Sequence, residues 1–196
     1  MADRCNTVKL YASQTDVVVE ALRRDGVCYS KEAYVRRKYQ ESAPIFVTAY
    51  SWFVGKAREI VPCPAGAEYP YWAFRDLYSL DQSGAGNVLE LSVPIDQAVF
   101  FDVMDWNKIM RLSYIGASEK EEEAFQEEMR ERGLNYNDVM LTQFYPEYKK
   151  QIMKSWDRLF RHHDEIKSGD FTGTHSVQAG LWQIREEWVD KIEKFN

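Results

Sequence analysis

Residues 8–29, VKLYASQTDVVVEALRRDGVCY, decide the reading of the fold. Val8–Ser13 reads as a first strand. Thr15 then stands where a helix N-cap belongs, with Val18, Ala21 and Leu22 on one helical face and Gly26 at the C′ position. Val27–Tyr29 follows at once and returns as a strand. The chain therefore opens as a compact strand–helix–strand unit.

Outward from this unit the pattern changes. Ser30–Gln40 reads as a short, charged helix, and Pro44 sits near the start of a stronger one. There Phe46, Ala49, Tyr50, Phe53, Ala57 and Ile60 recur at three- and four-residue steps and mark a buried stripe, ended by Pro62 and Pro64. Tyr69–Arg75 has the aromatic character of a strand. The segment 81–87, DQSGAGN, carries Gly84 and Gly86 but no G-K-[ST] and no G-x-G-x-x-G leading into a helix, so it reads as a plain turn.

Val88–Val93 and Ala98–Phe101 are further strands. Asp102 or Asp105 caps a helix that carries Trp106, Ile109 and Met110. Ser118 with Glu121 makes a capping box, Phe125 and Met129 anchor the helix, Glu128 and Arg132 are spaced for an ion pair, and Gly133 closes it. Pro146 opens an expected long helix with Tyr148, Ile152, Trp156, Leu159, Phe160 and His163 on one face. Ser176–Ile184 is the expected last strand, with Val177, Ala179 and Leu181 on one face and Gln178, Gly180 and Trp182 on the other. Trp188, Val189 and Ile192 suggest a short terminal helix. Strands near both ends with helices between, without strict βαβ alternation, predict an α+β fold. It is a single domain over residues 1–196, with a mixed or antiparallel sheet flanked by helices.

Composition narrows the function classes. Apolar residues make up 45% and charged residues 29%, ordinary globular usage, while six Trp, twelve Tyr and ten Phe point to an aromatic core or to ring stacking by a few of them. No apolar stretch is long enough to span a bilayer, so no membrane role is expected. Cys5, Cys28 and Cys63 are odd in number and lack metal spacing, which fits a reducing cytoplasm and predicts neither disulfide nor metal. Residues 1–61 hold ten Lys/Arg against seven Asp/Glu, and the remainder fifteen against twenty-four. The basic part gathers in Arg23, Arg24, Arg36, Arg37 and Lys38 with tyrosines between. It is either a solvated helical face or a contact for phosphate or nucleic acid.

No complete catalytic motif is present. His162 and His163 are adjacent and point about 100° apart on a helix, so they are expected at a surface or helix end and not as joint metal ligands. Asp102 and Asp105 lie where a strand meets a helix, a place that serves capping and also gathers functional groups.

Several stretches taken together resemble a known family. They are KLYASQ (9–14), the helix ending at Gly26, AYSWFVGKAREI (49–60), EYPYWAF (68–74), LELSVP (89–94), FFDVMDW (100–106), IMKSWDRLF (152–160), VQAGLW (177–182) and WVDKI (188–192). They resemble the bacterial domain-of-unknown-function family numbered 3841, over nearly the whole chain. That family implies one domain and supplies no activity.

A second resemblance covers VQAGLWQIREEWVDKI alone, which is similar in rhythm to the closing strand of DNA-modifying ADP-ribosyltransferase toxins. It implies an ADP-ribosyltransferase-like fold and NAD as cofactor. Gln178 and Ala179 match, but Gly180 stands where those enzymes carry the catalytic glutamate. Under this resemblance either Gln178 or an acid from elsewhere, Asp102, takes over the catalytic role of that glutamate, or the chain is not an ADP-ribosyltransferase. Gln14 contacts the nicotinamide ribose, Tyr71 or Trp72 stacks the nicotinamide, and Arg75 holds the pyrophosphate, so these residues are expected to line one cleft. The competing expectation is a non-catalytic module that binds a protein or single-stranded nucleic acid.

Overall fold

The computed structural model describes residues 6–81 and 86–195. In chain order the strands are β1 (Thr7–Gln14), β2 (Val27–Tyr29), β3 (Tyr71–Phe74), β4 (Gly86–Pro94), β5 (Ala98–Asp102), β6 (Val177–Leu181), β7 (Gln183–Arg185) and β8 (Val189–Phe195). The helices are α1 (Asp16–Asp25), α2 (Glu32–Tyr39), α3 (Ala43–Ile60), α4 (Val103–Met110), α5 (Glu119–Glu131), α6 (Tyr136–Leu141), α7 (Pro146–Ser155) and α8 (His163–Lys167). Six strands form one sheet in the order β5-β6-β3-β1-β4-β8, each pair antiparallel, and β2 pairs with β7 in a separate two-stranded sheet. The fold is α+β, as the sequence predicts, and a single domain. Among the described residues no helix is long and apolar enough to cross a membrane.

The opening unit forms as read. Gly26 adopts φ 71°, the left-handed conformation that lets its N–H close α1 on the Leu22 carbonyl. Thr15 holds the N-cap position with its backbone carbonyl alone; its side chain makes no capping bond. The α3 stripe is buried at Ala49, Tyr50, Phe53 and Ala57 and partly buried at Phe46 and Ile60. At α5, Ser118 accepts the Glu121 N–H, while the Glu121 carboxylate reaches back to the N–H of Ala117, one residue beyond the expected partner. The Glu128–Arg132 pair forms at 3.6 Å.

Two layers cover the sheet unequally. On one face Leu10, Ala12, Tyr71, Ala73, Leu89, Leu91, Phe100, Val177, Ala179 and Leu181 pack against Val19 and Leu22 of α1, Cys28 and Ile184 of the small sheet, and Ile166 of α8. On the other face Trp72, Val99, Phe101 and Trp182 meet the aromatic layer of α2 to α7. That layer covers β5, β6 and β3. Lys9, Glu90, Ser92, Lys191 and Glu193, on the same face of β1, β4 and β8, are linked to each other or to near neighbours: Lys9 with Glu90, Lys191 with Glu193 at 2.5 Å and Ser92 with Asp190 at 2.6 Å. This half of the face is polar and charge-balanced.

Three expectations are corrected. The helix from Pro146 ends at Ser155, and Trp156–Phe160 continues as a 3₁₀ turn that places Trp156 in the core, its Nε1 bonded to the Ser113 carbonyl at 2.7 Å. The strand expected over Ser176–Ile184 breaks at Trp182, so that β6 lies in the large sheet and β7 in the small one. The terminal helix is absent: Val189–Phe195 is strand β8, whose pairing slips between Glu90 and Leu91 and leaves Asp190 unmatched. That bulge puts Val189 and Ile192 on one face although they are three positions apart, which imitates helical spacing. His163, expected at a surface or helix end, stands at the start of α8 and is buried there, its Nδ1 accepting the Phe100 N–H at 3.0 Å. The turn expected around Gly84 lies mostly outside the described residues, as does Cys5; Cys28 and Cys63 are free thiols.

Candidate ligand-binding site

Register aligns a row of side chains across the large sheet. Tyr11 stands opposite Glu90 on β4 and Phe74 on β3, Phe74 opposite Gln178 on β6, and Gln178 opposite Phe101 on β5. Directly paired residues share a face, and the neighbours Leu10, Ala12, Ala73, Val177 and Ala179 all point to the opposite layer. Tyr11, Phe74 and Gln178 therefore lie together where the aromatic layer stops and the open half of the sheet begins. Tyr11 and Phe74 are part-exposed, and Gln178 is 3% exposed.

Two side chains, Gln178 and Gln183, stand apart from the other buried polar groups. Asn87, Asp102, Asp105, Ser155 and His163 all have protein partners. The amides of Gln178 and Gln183 have none among the described residues. Among the described residues no fully enclosed side-chain nitrogen or oxygen is left unpaired, so the polar atoms of both amides keep some contact with solvent. A planar group with one acceptor and two N–H donors, beside two part-exposed rings, is equipped to hold a flat polar molecule.

The next position on β6 along this face is Gly180, opposite Trp72. A β-carbon there would lie 2.8 Å from Cζ and 3.0 Å from Cε1 of Phe53. The ring of α3 occupies the space into which a glutamate at 180 would project. Trp72 is equally committed: its Nε1 donates to the Tyr50 hydroxyl at 2.9 Å, and Tyr50, Phe53 and Phe101 meet its ring edge to face. Burial pushes the Tyr50 phenol well above its ordinary range.

The residues expected to share one cleft do not. Tyr71 points into the opposite layer, beside Cys28, and burial raises its phenol far above the usual value. Gln14 lies at that same strand end, opposite Asn87, whose Nδ2 reaches the Gln14 carbonyl at 3.4 Å. Arg75 and Asp102 gather at the other end: Arg75 N–H bonds the Val177 carbonyl, and Asp102 stands opposite Val177. The Arg75 guanidinium lies 3.7 Å from the Phe171 ring centroid. Asp102 accepts the N–H of Met104 and of His175, both at 2.7 Å, which caps α4 and ties down the approach to β6. His175 also turns Nδ1 toward it at 3.2 Å, an imidazole–carboxylate pair invisible in the sequence because 73 positions separate the partners.

The basic segment is divided by the sheet. Arg23 and Arg24 end α1 on one side, while Arg36, Arg37 and Lys38 end α2, which packs into the layer on the other side. Arg24 pairs with Asp25 at 2.7 Å and Arg36 with Glu32 at 2.6 Å. Arg23 lines a shallow cleft of about 390 Å³ with Lys194 and Asn87, but Asp16 and Glu20 line it too. Neither group makes a continuous cationic track.

Fold and site together define an α+β domain with a half-covered antiparallel sheet and, at the boundary, an amide without a protein partner among the described residues. The chain belongs to the family described as domain of unknown function (DUF3841), whose model matches residues 9–190. Searches of curated proteins and of solved structures found no match.

Proposed function

We propose that the domain is a binding module that recognises its ligand on the Tyr11–Phe74–Gln178 row and does not transfer ADP-ribose from β6. The observation that carries this reading is the contact at Gly180. An ADP-ribosyltransferase stabilises its oxocarbenium-like transition state with a carboxylate at that point, and here the ring of Phe53 fills the space. Asp102 is a poor substitute, because its carboxylate already accepts bonds from Met104 and His175 at the end of the sheet. The row itself has the features of a recognition surface: rings with accessible area, one amide without a protein partner, and a rigid antiparallel support.

Incubation with NAD, alone and with protein or nucleic-acid acceptors, tests the reading by intact mass and by nicotinamide release. The expected result is no adduct and no release above buffer. Nicotinamide release that Gln178→Ala or Asp102→Ala abolishes, with the variants still folded by circular dichroism, overturns it.

A further inference from the structure

We infer that the ligand of this row is a nucleobase carried by a small molecule, a nucleoside or mononucleotide; the inference rests on the binding-module reading and gives it a ligand class. Three observations lead there. The first is the Gln178 amide, 3% exposed and without a protein partner among the described residues, on a strand flanked on both sides by paired neighbours. An amide whose oxygen and N–H groups carry no protein bond can meet a ligand edge that bears both a donor and an acceptor. Nucleobase edges present such donor–acceptor pairs in the plane of the ring, and side-chain amides match them bidentately.

The second observation is the company of the amide. Tyr11 and Phe74 stand in the same register row, both part-exposed, and Phe74 is free of the ring contacts that absorb Trp72, Phe53 and Phe101. Aromatic side chains on an antiparallel sheet are the surface on which bases stack in single-strand recognition.

The third observation selects the source of the base. A nucleic-acid strand needs cations along its phosphates. The lysines on the open half, Lys9 and Lys191, are matched by Glu90 and Glu193, and the whole chain carries a net charge of −6. Among the described residues the open half of the sheet offers no cationic track for a nucleic-acid backbone, which leaves a single base as the ligand.

Isothermal titration of the intact protein with adenosine, guanosine, cytidine and uridine, their 5′-monophosphates, ribose 5-phosphate and a mixed-sequence 12-nucleotide single strand tests the inference. At least one nucleoside and its monophosphate are expected to bind, with ribose 5-phosphate silent and the oligonucleotide no tighter per base. Gln178→Ala is expected to weaken binding about tenfold or more. Tyr11→Ser, a part-exposed position whose loss leaves the core intact, is expected to weaken it about fivefold or more. Silence across all nucleosides and mononucleotides overturns the inference, as does equal binding of ribose 5-phosphate or binding confined to the oligonucleotide. Turnover of NAD in the separate assay would sink the binding-module reading itself, so the two failures are distinguishable.

Discussion

A β-carbon on Gly180 would stand 2.8 Å from Cζ of Phe53, inside the distance that real β-carbons keep. The two residues come from β6 and α3, and their contact lets the aromatic layer lie directly on the sheet. Phe53 is fully buried and meets Trp72, Phe101, Trp106 and Phe160, so its ring has little freedom to move aside. Gly180→Ala is therefore expected to destabilise the fold by about 1–3 kcal/mol, the usual cost of an overpacked core. Urea denaturation measures it. A second substitution, Phe53→Leu, should recover part of the loss in the Gly180→Ala background; simple additivity of the two losses would count against the contact.

His163 makes stability depend on acid. Its Nδ1 accepts the Phe100 N–H, which requires the neutral ring, and burial depresses its pKa below the ordinary imidazole value of 6.5. In the unfolded chain the ring takes up a proton near that ordinary value, whereas in the folded chain it resists. The unfolded state then holds more protons, so stability is full above about pH 6.5 and declines as pH falls from there to the lowered folded pKa. The slope contributed by this residue is at most about 1.4 kcal/mol per pH unit. Denaturation midpoints of wild type and His163→Gln between pH 7 and pH 5 should diverge, with the variant flatter. Parallel curves would refute the assignment.

Asp105 depends on its neighbours. The carboxylate is buried, burial pushes its pKa up, and Arg161 at 2.8 Å with Lys108 at 3.7 Å pull the other way. Arg161→Ala is expected to cost about 1–2 kcal/mol at neutral pH, less than for a fully enclosed pair because Arg161 is partly exposed and Lys108 remains. Without the guanidinium the folded pKa of Asp105 rises further above its unfolded value, so the penalty is largest at neutral pH and shrinks as acid protonates the group. A loss that stays constant from pH 7 to pH 4.5 would show that Arg161 acts through packing alone.

The parts of the fold legible in the sequence were those governed by neighbours a few residues apart. Gly26 closes α1, Ser118 caps α5, and the spacing from Phe46 to Ile60 marks the buried side of α3. Misreadings arose where tertiary pairing overrides local spacing. Val189 and Ile192 read as helix because the bulge at Asp190 adds a residue between positions of one face. Trp156 reads as part of a continuing helix because a 3₁₀ turn keeps nearly the same side buried. The candidate site was harder still. Gln178 could be singled out from its strand, but Tyr11 and Phe74 join it through pairing across three strands, and the matching of Asp102 with His175 depends on the same crossing.

Strand β6 lies between β3 and β5 although every helix from α4 to α8 separates it in sequence from β5. Until residues 177–181 arrive, β5 has no partner in the sheet and β3 has only β1. The chain that precedes β6 can pair only β3, β1 and β4 of this sheet; β5 stays unpaired, and β8 follows β6. Closing so long a loop before any long-range contact rewards it slows the rate-limiting step. On the ribosome the domain should accordingly wait, with β5 apart from the β3-β1-β4 strands and its apolar faces open to chaperones, until β6 clears the exit tunnel.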